Sequence, residues 1–148
     1  MARTCPLREL GKRRYRCFFE LTLLVIGGKW KPVILYHLAQ AGVLRFNELR
    51  RSIPEVTERM LTRQLRELAA DGLVRRKAYP QVPPRVEYSL TEQGASLIPI
   101  LLELRRWGEE YERSRTGVPV PDDPGPEPAA PPEVAEMYRA CLAAGARP

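Results

Sequence analysis

Apolar positions along this chain change period several times, and each change marks an element. Phe18 to Ile26 is an apolar run broken early by Glu20. It is too short to be stable alone and must pack on another element. Gly27-Gly28 closes it. Beyond it Trp30, Ile34, Leu38 and Ala41 recur at helical spacing. Pro32 falls in the first turn, where its missing N–H costs nothing, and Gly42 ends the pattern. Leu44-Arg45-Phe46 suits one short strand, and Asn47 to Ser52 a brief helix that stops before Ile53-Pro54.

Thr57 to Asp71 is the most informative segment. Thr57 is a suitable N-cap, and Asp71-Gly72-Leu73 a suitable helix exit with an apolar residue just past the glycine. On a helical projection Leu61, Leu65, Leu68 and Gly72 fall within about 60° of one another. Arg59, Arg63 and Arg66 occupy the opposite arc with Thr62 at its edge. That outer face is nearly free of acids. A hairpin follows: Leu73 to Tyr79, a loop Pro80-Gln-Val-Pro-Pro84, then Arg85 to Leu90, in which Val86, Tyr88 and Leu90 alternate with Arg85, Glu87 and Ser89. Tyr79 and Tyr88 are expected to pack across it. Thr91-Glu-Gln opens a long helix with a stripe of Leu97, Leu101, Leu104, Trp107, Gly108 and Tyr111; Pro99 lies inside this pattern and predicts a kink near Ala95. So wide a stripe on a terminal helix predicts burial against a partner chain.

Charge sharpens this picture. The 148 residues carry a formal charge of +6 with a pI near 9.5, 44% hydrophobic and 28% charged. This is one domain's worth of chain with an ordinary core. The charge is uneven. Residues 1–16 hold six bases and one acid, and residues 17–117 sixteen bases and twelve acids. Residues 118–148 hold two bases and five acids. Three units follow: a basic arm over 1–16, a body over 17–115, and a proline-rich acidic tail over 116–148. In the tail a short helix carrying Val134, Met137, Tyr138 and Leu142 is expected. No stretch reaches the roughly 18 apolar residues of a membrane span. No small-residue cleavage site follows the first apolar run, so no secretory signal and a cytoplasmic location are expected.

A short helix, a turn, an amphipathic helix with a basic outer face and a basic hairpin make a winged helix-turn-helix. The fold class is mainly α with a small antiparallel β-hairpin (α+β). Such a helix fits the major groove, where arginine can pair both acceptors of guanine or bind a phosphate. The face reading selects Arg59, Thr62, Arg63 and Arg66. In the hairpin Arg75, Arg76, Lys77 and Arg85 can reach the backbone or minor groove of double-stranded DNA.

The chain resembles the HxlR-type family of bacterial and archaeal winged-helix transcription regulators, relatives of the MarR group. The resemblance is carried by Ile26-Gly-Gly-Lys-Trp30, Leu44-Arg-Phe-Asn-Glu-Leu-Arg50, Arg59-Met-Leu-Thr62 with Gln64-Leu-Arg-Glu-Leu68, Asp71-Gly-Leu-Val74, Tyr79 to Leu90 and Trp107-Gly108. It spans about residues 17 to 112. It implies homodimers on near-palindromic operators, with N- and C-terminal helices forming the interface; the leading reading is a repressor, although repression or activation depends on where the operator sits. Here those helices offer Phe18, Phe19, Leu97, Leu101, Leu104, Trp107 and Tyr111. It also implies DNA contacts from Thr57, Glu58, Arg59, Thr62 and Arg63, with Arg76 and Arg85 in the wing. Glu58 has two readings, an acceptor for cytosine and an acid favouring the helix N-terminus.

Many members carry Cys-Pro nine residues before the isoleucine of Ile-Gly-Gly-Lys-Trp, and some use that thiol to sense oxidants or electrophiles. Cys17 stands at that spacing, with Phe18 in place of the proline and Cys5-Pro6 twelve residues earlier. Redox sensing by Cys17 and an unreactive thiol near the dimer core are both open, as is a small-molecule effector. Trp30 and Trp107 read as packing anchors. The lone His37 has no ligand-spaced companion, so no metal or cofactor is expected. No nucleophile–base pair or carboxylate dyad stands out, so the chain does not read as an enzyme. The competing reading is a winged-helix module whose basic face binds an acidic protein without sequence-specific DNA binding.

Overall fold

The computed structural model describes residues 5–118 and Glu136. Its elements run β1 (Arg8–Leu10), β2 (Arg13–Tyr15), α1 (Phe18–Ile26), α2 (Trp30–Ala41), β3 (Val43–Arg45), α3 (Phe46–Ser52), α4 (Glu58–Ala70), β4 (Val74–Tyr79), β5 (Arg85–Leu90), α5 (Glu92–Ala95) and α6 (Ile98–Thr116). Helices α3 and α4 with the β4–β5 hairpin form the winged helix-turn-helix expected from the sequence. The tail helix expected around Val134 to Leu142, and Cys141 within it, fall outside the described residues apart from Glu136.

The leucines of α4 explain the packing. Leu61, Leu65 and Leu68 are almost completely buried, in one cluster with Ile34, Leu35 and Leu38 of α2, Leu49 of α3 and Val74 of β4. The exit of α4 is a Schellman turn. Leu73 N–H donates to the Leu68 carbonyl at 3.0 Å and Gly72 N–H to that of Ala69 at 3.1 Å, with Gly72 at φ +74°. Leu68 and Leu73 both sit in the core, so the turn also launches the wing in a fixed direction.

Three expectations are corrected. The short strand is Val43–Arg45 and Phe46 already opens α3. This strand pairs antiparallel with β5 (Val43 with Ser89, Arg45 with Glu87), which makes a three-stranded sheet of order β3-β5-β4. The long terminal helix is two helices. Thr91 caps α5 by accepting from Gly94 N–H, and α6 starts afresh with Pro99 in its first turn. A break before Pro99 puts it where no intrahelical donor is needed, so there is no mid-helix kink at Ala95. Finally, Tyr79 does not meet Tyr88. The register pairs Tyr79 with Arg85 and Tyr88 with Arg76, which places the two tyrosines on opposite faces of the sheet.

The basic arm has structure of its own. β1 and β2 form an antiparallel hairpin turning at Gly11 (φ +60°), with Arg8 opposite Tyr15. Tyr15 is buried, and Arg13 Nη2 binds Asp71 Oδ2 at 2.7 Å, pinning the hairpin to the C-terminal end of α4.

Gly94 sits so close to the Leu73 carbonyl that a Cβ would overlap it. Gly94→Ala should therefore lower stability by about 1–3 kcal/mol through overpacking. Gly72→Ala should cost about 1–2 kcal/mol through its left-handed backbone alone. Urea unfolding of both variants checks the order.

Candidate nucleic-acid interface

With its leucines buried, α4 turns Arg59, Thr62, Arg63 and Arg66 to solvent. Its 13 residues give a rod about 20 Å long. Thr57 is the N-cap: its hydroxyl oxygen accepts from Met60 N–H at 3.2 Å. Thr62 donates its hydroxyl to the Glu58 carbonyl at 2.8 Å and keeps its oxygen lone pairs outward. Among the described residues, Arg59 and Arg66 make no ion pair or hydrogen bond.

Arg63 is different, because Glu67 was missed in reading the outer face as acid-poor. Arg63 Nε lies 3.0 Å from Glu67 Oε1, and Lys31 Nζ lies 2.8 Å from Glu67 Oε2. Lys31 enters this triad from α2 with a side chain only 10% exposed. The hydrogen bond from Lys31, then that from Arg63, holds the Glu67 carboxyl below its ordinary value. The triad fixes α4 against α2 and neutralises part of the charge the sequence assigned to the groove face.

Glu58 is also engaged. Its carboxylate lies 3.3 Å from Arg50 Nη1 on α3, tying the two helices of the motif together. Beside this pair Asn47, Arg50, Arg51 and Pro54 line an open cleft of about 580 Å³. Arg51 has no ion pair or hydrogen bond among the described residues. Sequence reading passed over these α3 residues because arginines in a helix too short for a periodic face give no directional signal.

In the wing Arg75, Arg76 and Lys77 are exposed. The register sets Arg75, Lys77 and Tyr79 on one face of β4, and Arg76 on the other, opposite Tyr88. Lys77 Nζ stands 4.8 Å from the Tyr79 ring centroid. Arg85 is not a free wing cation: it pairs with Glu87 and stacks over Tyr79 at 5.0 Å. Tyr79 donates its hydroxyl to Glu87 at 3.0 Å. The bonds from Arg85 and Tyr79 outweigh burial and lower the Glu87 carboxyl. Arg85 thus stiffens the strand it sits on.

The other candidates fall on α1 and α6. Cys17 is exposed at the N-cap of α1, where its Sγ accepts from Glu20 N–H at 3.4 Å. Phe18 and Phe19 are exposed, as are Leu104, Trp107 and Tyr111 on α6. Leu101, by contrast, is buried in the chain's own core and is not available to a partner surface, while Leu97 is half-buried against that core. Trp30 packs on the core as expected. Trp107 does not: it is 67% exposed and stacks on Tyr111 at 5.1 Å. No helix among the described residues is long and apolar enough to cross a membrane.

Comparison with known proteins agrees with this geometry. The model of the HxlR-like helix-turn-helix family matches residues 25–116. The HTH-type transcriptional regulator YybR of Bacillus subtilis is 60% identical over 93 residues, covering 63% of this chain and 74% of YybR. Two solved structures described as the redox regulator HypR are similar throughout the body. The reduced form has a TM-score of 0.64 at 54% identity, covering 69% of this chain and all of that one. The oxidised form has a TM-score of 0.61 at 60% identity, covering 64% and 96%.

Replacing Glu67 with Gln should expose the role of the triad. Near neutral pH the variant leaves Lys31 without its charged partner, at a cost of about 1–3 kcal/mol. The depressed Glu67 pKa contributes stability above the ordinary value of 4.5, and this is lost as pH falls through the lower, folded value. The difference between wild type and Glu67→Gln in urea unfolding should shrink over that acid range.

Proposed function

The chain belongs to the HxlR-like helix-turn-helix family of DNA-binding transcription regulators, and on that premise we propose that it is a homodimeric repressor of a near-palindromic operator. α4 enters the major groove, and the β4–β5 wing lies on the backbone or minor groove. The observation that carries this reading is the division of α4 into a buried leucine face and an outer face on which Arg59 and Arg66 have no protein partner. Thr57, Glu58, Thr62 and Arg63 complete the groove-facing set. Arg75, Arg76 and Lys77 supply phosphate contacts in the wing, and Arg85 shapes it.

Dimerisation is favoured by the apolar surface of α1 and α6. Phe18, Phe19, Leu104, Trp107 and Tyr111 are large, exposed and carried on the two helices outside the helix-turn-helix core. A soluble chain seldom leaves such a surface uncovered. A two-fold pair would present two α4 helices to half-sites one helical turn apart, about 34–36 Å. Trp107→Glu should shift the protein from dimer to monomer in sedimentation, with its helical content unchanged.

A second reading concerns the signal. Cys17 is exposed, and its sulfur already occupies the position of a helix-capping acceptor. Oxidation at this exposed thiol is proposed as the input that alters operator affinity. A small-molecule effector is the alternative input.

Fluorescence anisotropy on the upstream region of the protein's own gene, against a scrambled duplex, tests the main reading. A preference of about a thousandfold is expected. Arg59→Ala should lose about 1–3 kcal/mol of operator binding; Arg63→Ala should fall at the low end, since Glu67 already shares that guanidinium. Arg76→Ala should weaken both duplexes alike and reduce the salt slope by about one. Equal affinity for both duplexes on every candidate operator, or no binding at all, would favour the protein-interaction module instead.

A further inference from the structure

The N-terminal hairpin lies upstream of the matched family segment, and both described thiols flank its open end. Cys5 and Cys17 are the cysteines among the described residues, both free and both exposed. The paired residues of the hairpin are Arg8 with Tyr15, Glu9 with Arg14 and Leu10 with Arg13. Cys5 lies three residues before Arg8 and Cys17 two residues after Tyr15, so both thiols stand at the open end of the hairpin, where its two strands begin and end.

Two contacts hold this arrangement. Arg16 Nη1 donates to the Cys5 carbonyl at 3.3 Å, which ties Cys5 to the residue that precedes Cys17. Arg16 N–H donates to Glu20 Oε2 at 2.6 Å, fixing the strand's junction with α1. The ladder ends at Arg8 and Tyr15, and residues 16 and 17 bend, so strict alternation does not hold the two side chains to opposite faces. Only eleven residues separate the cysteines. Such a short tether gives an effective concentration on the order of millimolar.

We propose that Cys5 is the resolving thiol for Cys17, and that oxidation closes a disulfide across the open end of the β1–β2 hairpin within one chain. This rests on the reading of Cys17 as the reactive thiol. With hydrogen peroxide as the oxidant, the Cys17 thiolate attacks one peroxide oxygen. The O–O bond breaks, hydroxide leaves and takes up a proton as water, and Cys17 becomes a sulfenic acid, oxidised by two electrons. The Cys5 sulfur then attacks the Cys17 sulfur. The S–S bond forms, the S–O bond breaks, and the departing hydroxide takes the proton released by the Cys5 thiol. Two thiols and one peroxide give one disulfide and two waters. The linked strands are those that Arg13 pins to Asp71 at the end of α4, so the bond forms in an element attached to the groove-facing helix.

The test treats full-length protein, mixed from light and isotopically heavy chains, with hydrogen peroxide in the presence of dimedone, followed by tryptic mapping. The expected product joins the fragment 4–8 to the fragment 17–29 within chains of one isotope. Cys5→Ser should abolish this link and leave Cys17 trapped as its dimedone adduct, with an unchanged melting temperature. A mixed-isotope link, a link from Cys17 to Cys141, or equal dimedone trapping in wild type and Cys5→Ser would overturn the pairing while leaving Cys17 reactive. An unmodified Cys17 in both proteins would overturn the thiol-sensing reading as well.

Discussion

Burial of Leu61, Leu65 and Leu68 between α2, α3 and the wing sets the rotation of α4 about its own axis, and most of what the domain presents follows from that rotation. Three side chains on one stripe, each almost inaccessible to water, are worth several kcal/mol together. Turning the helix by one position would bring Arg66 or Glu67 into the core, so the outer arginines face solvent because the leucines cannot. The Schellman turn at Gly72 carries the same constraint onward: Leu73 follows Leu68 into the core, and β4 leaves in a direction fixed by that contact.

On this scaffold the charges divide into two kinds. Arg59, Arg66, Arg75 and Arg76 hold no bond to the protein among the described residues, so a phosphate or base edge would be gained without breaking anything. Arg50, Arg63 and Arg85 are committed to Glu58, Glu67 and Glu87. The committed set is more than solvated decoration. Glu67 satisfies a nearly buried lysine, Glu58 links the two helices of the motif, and Glu87 gathers Arg85 and Tyr79 into a brace along the wing. Preorganisation of this kind reduces the entropy lost when an element settles on a partner.

The N-terminal hairpin is attached to the same helix. The ion pair of Arg13 with Asp71 attaches it to the end of α4, Tyr15 and Arg8 lie against the Phe18 ring of α1, and its open end carries both described thiols. Its ion-pair anchor is thus on the helix whose placement matters most.

Local pattern by itself determined α2, α4, the wing and their order, because a leucine stripe, a threonine cap and a glycine exit act through bonds made within a few residues. It determined the basic character of the α4 face for the same reason. Only the tertiary structure decided which of those bases are free. Arg50 and Arg13 pair with Glu58 and Asp71 on other elements, and Lys31 of α2 shares Glu67, the partner of Arg63 within α4. The sequence pattern also reads one long helix from Thr91 through Tyr111, whereas packing of Gly94 against the Leu73 carbonyl and the donor lost at Pro99 divide it. That division sends Leu97 and Leu101 into the core and leaves Leu104, Trp107 and Tyr111 outside. Periodicity shows that a helix has an apolar face; what covers that face depends on contacts between residues far apart in the chain.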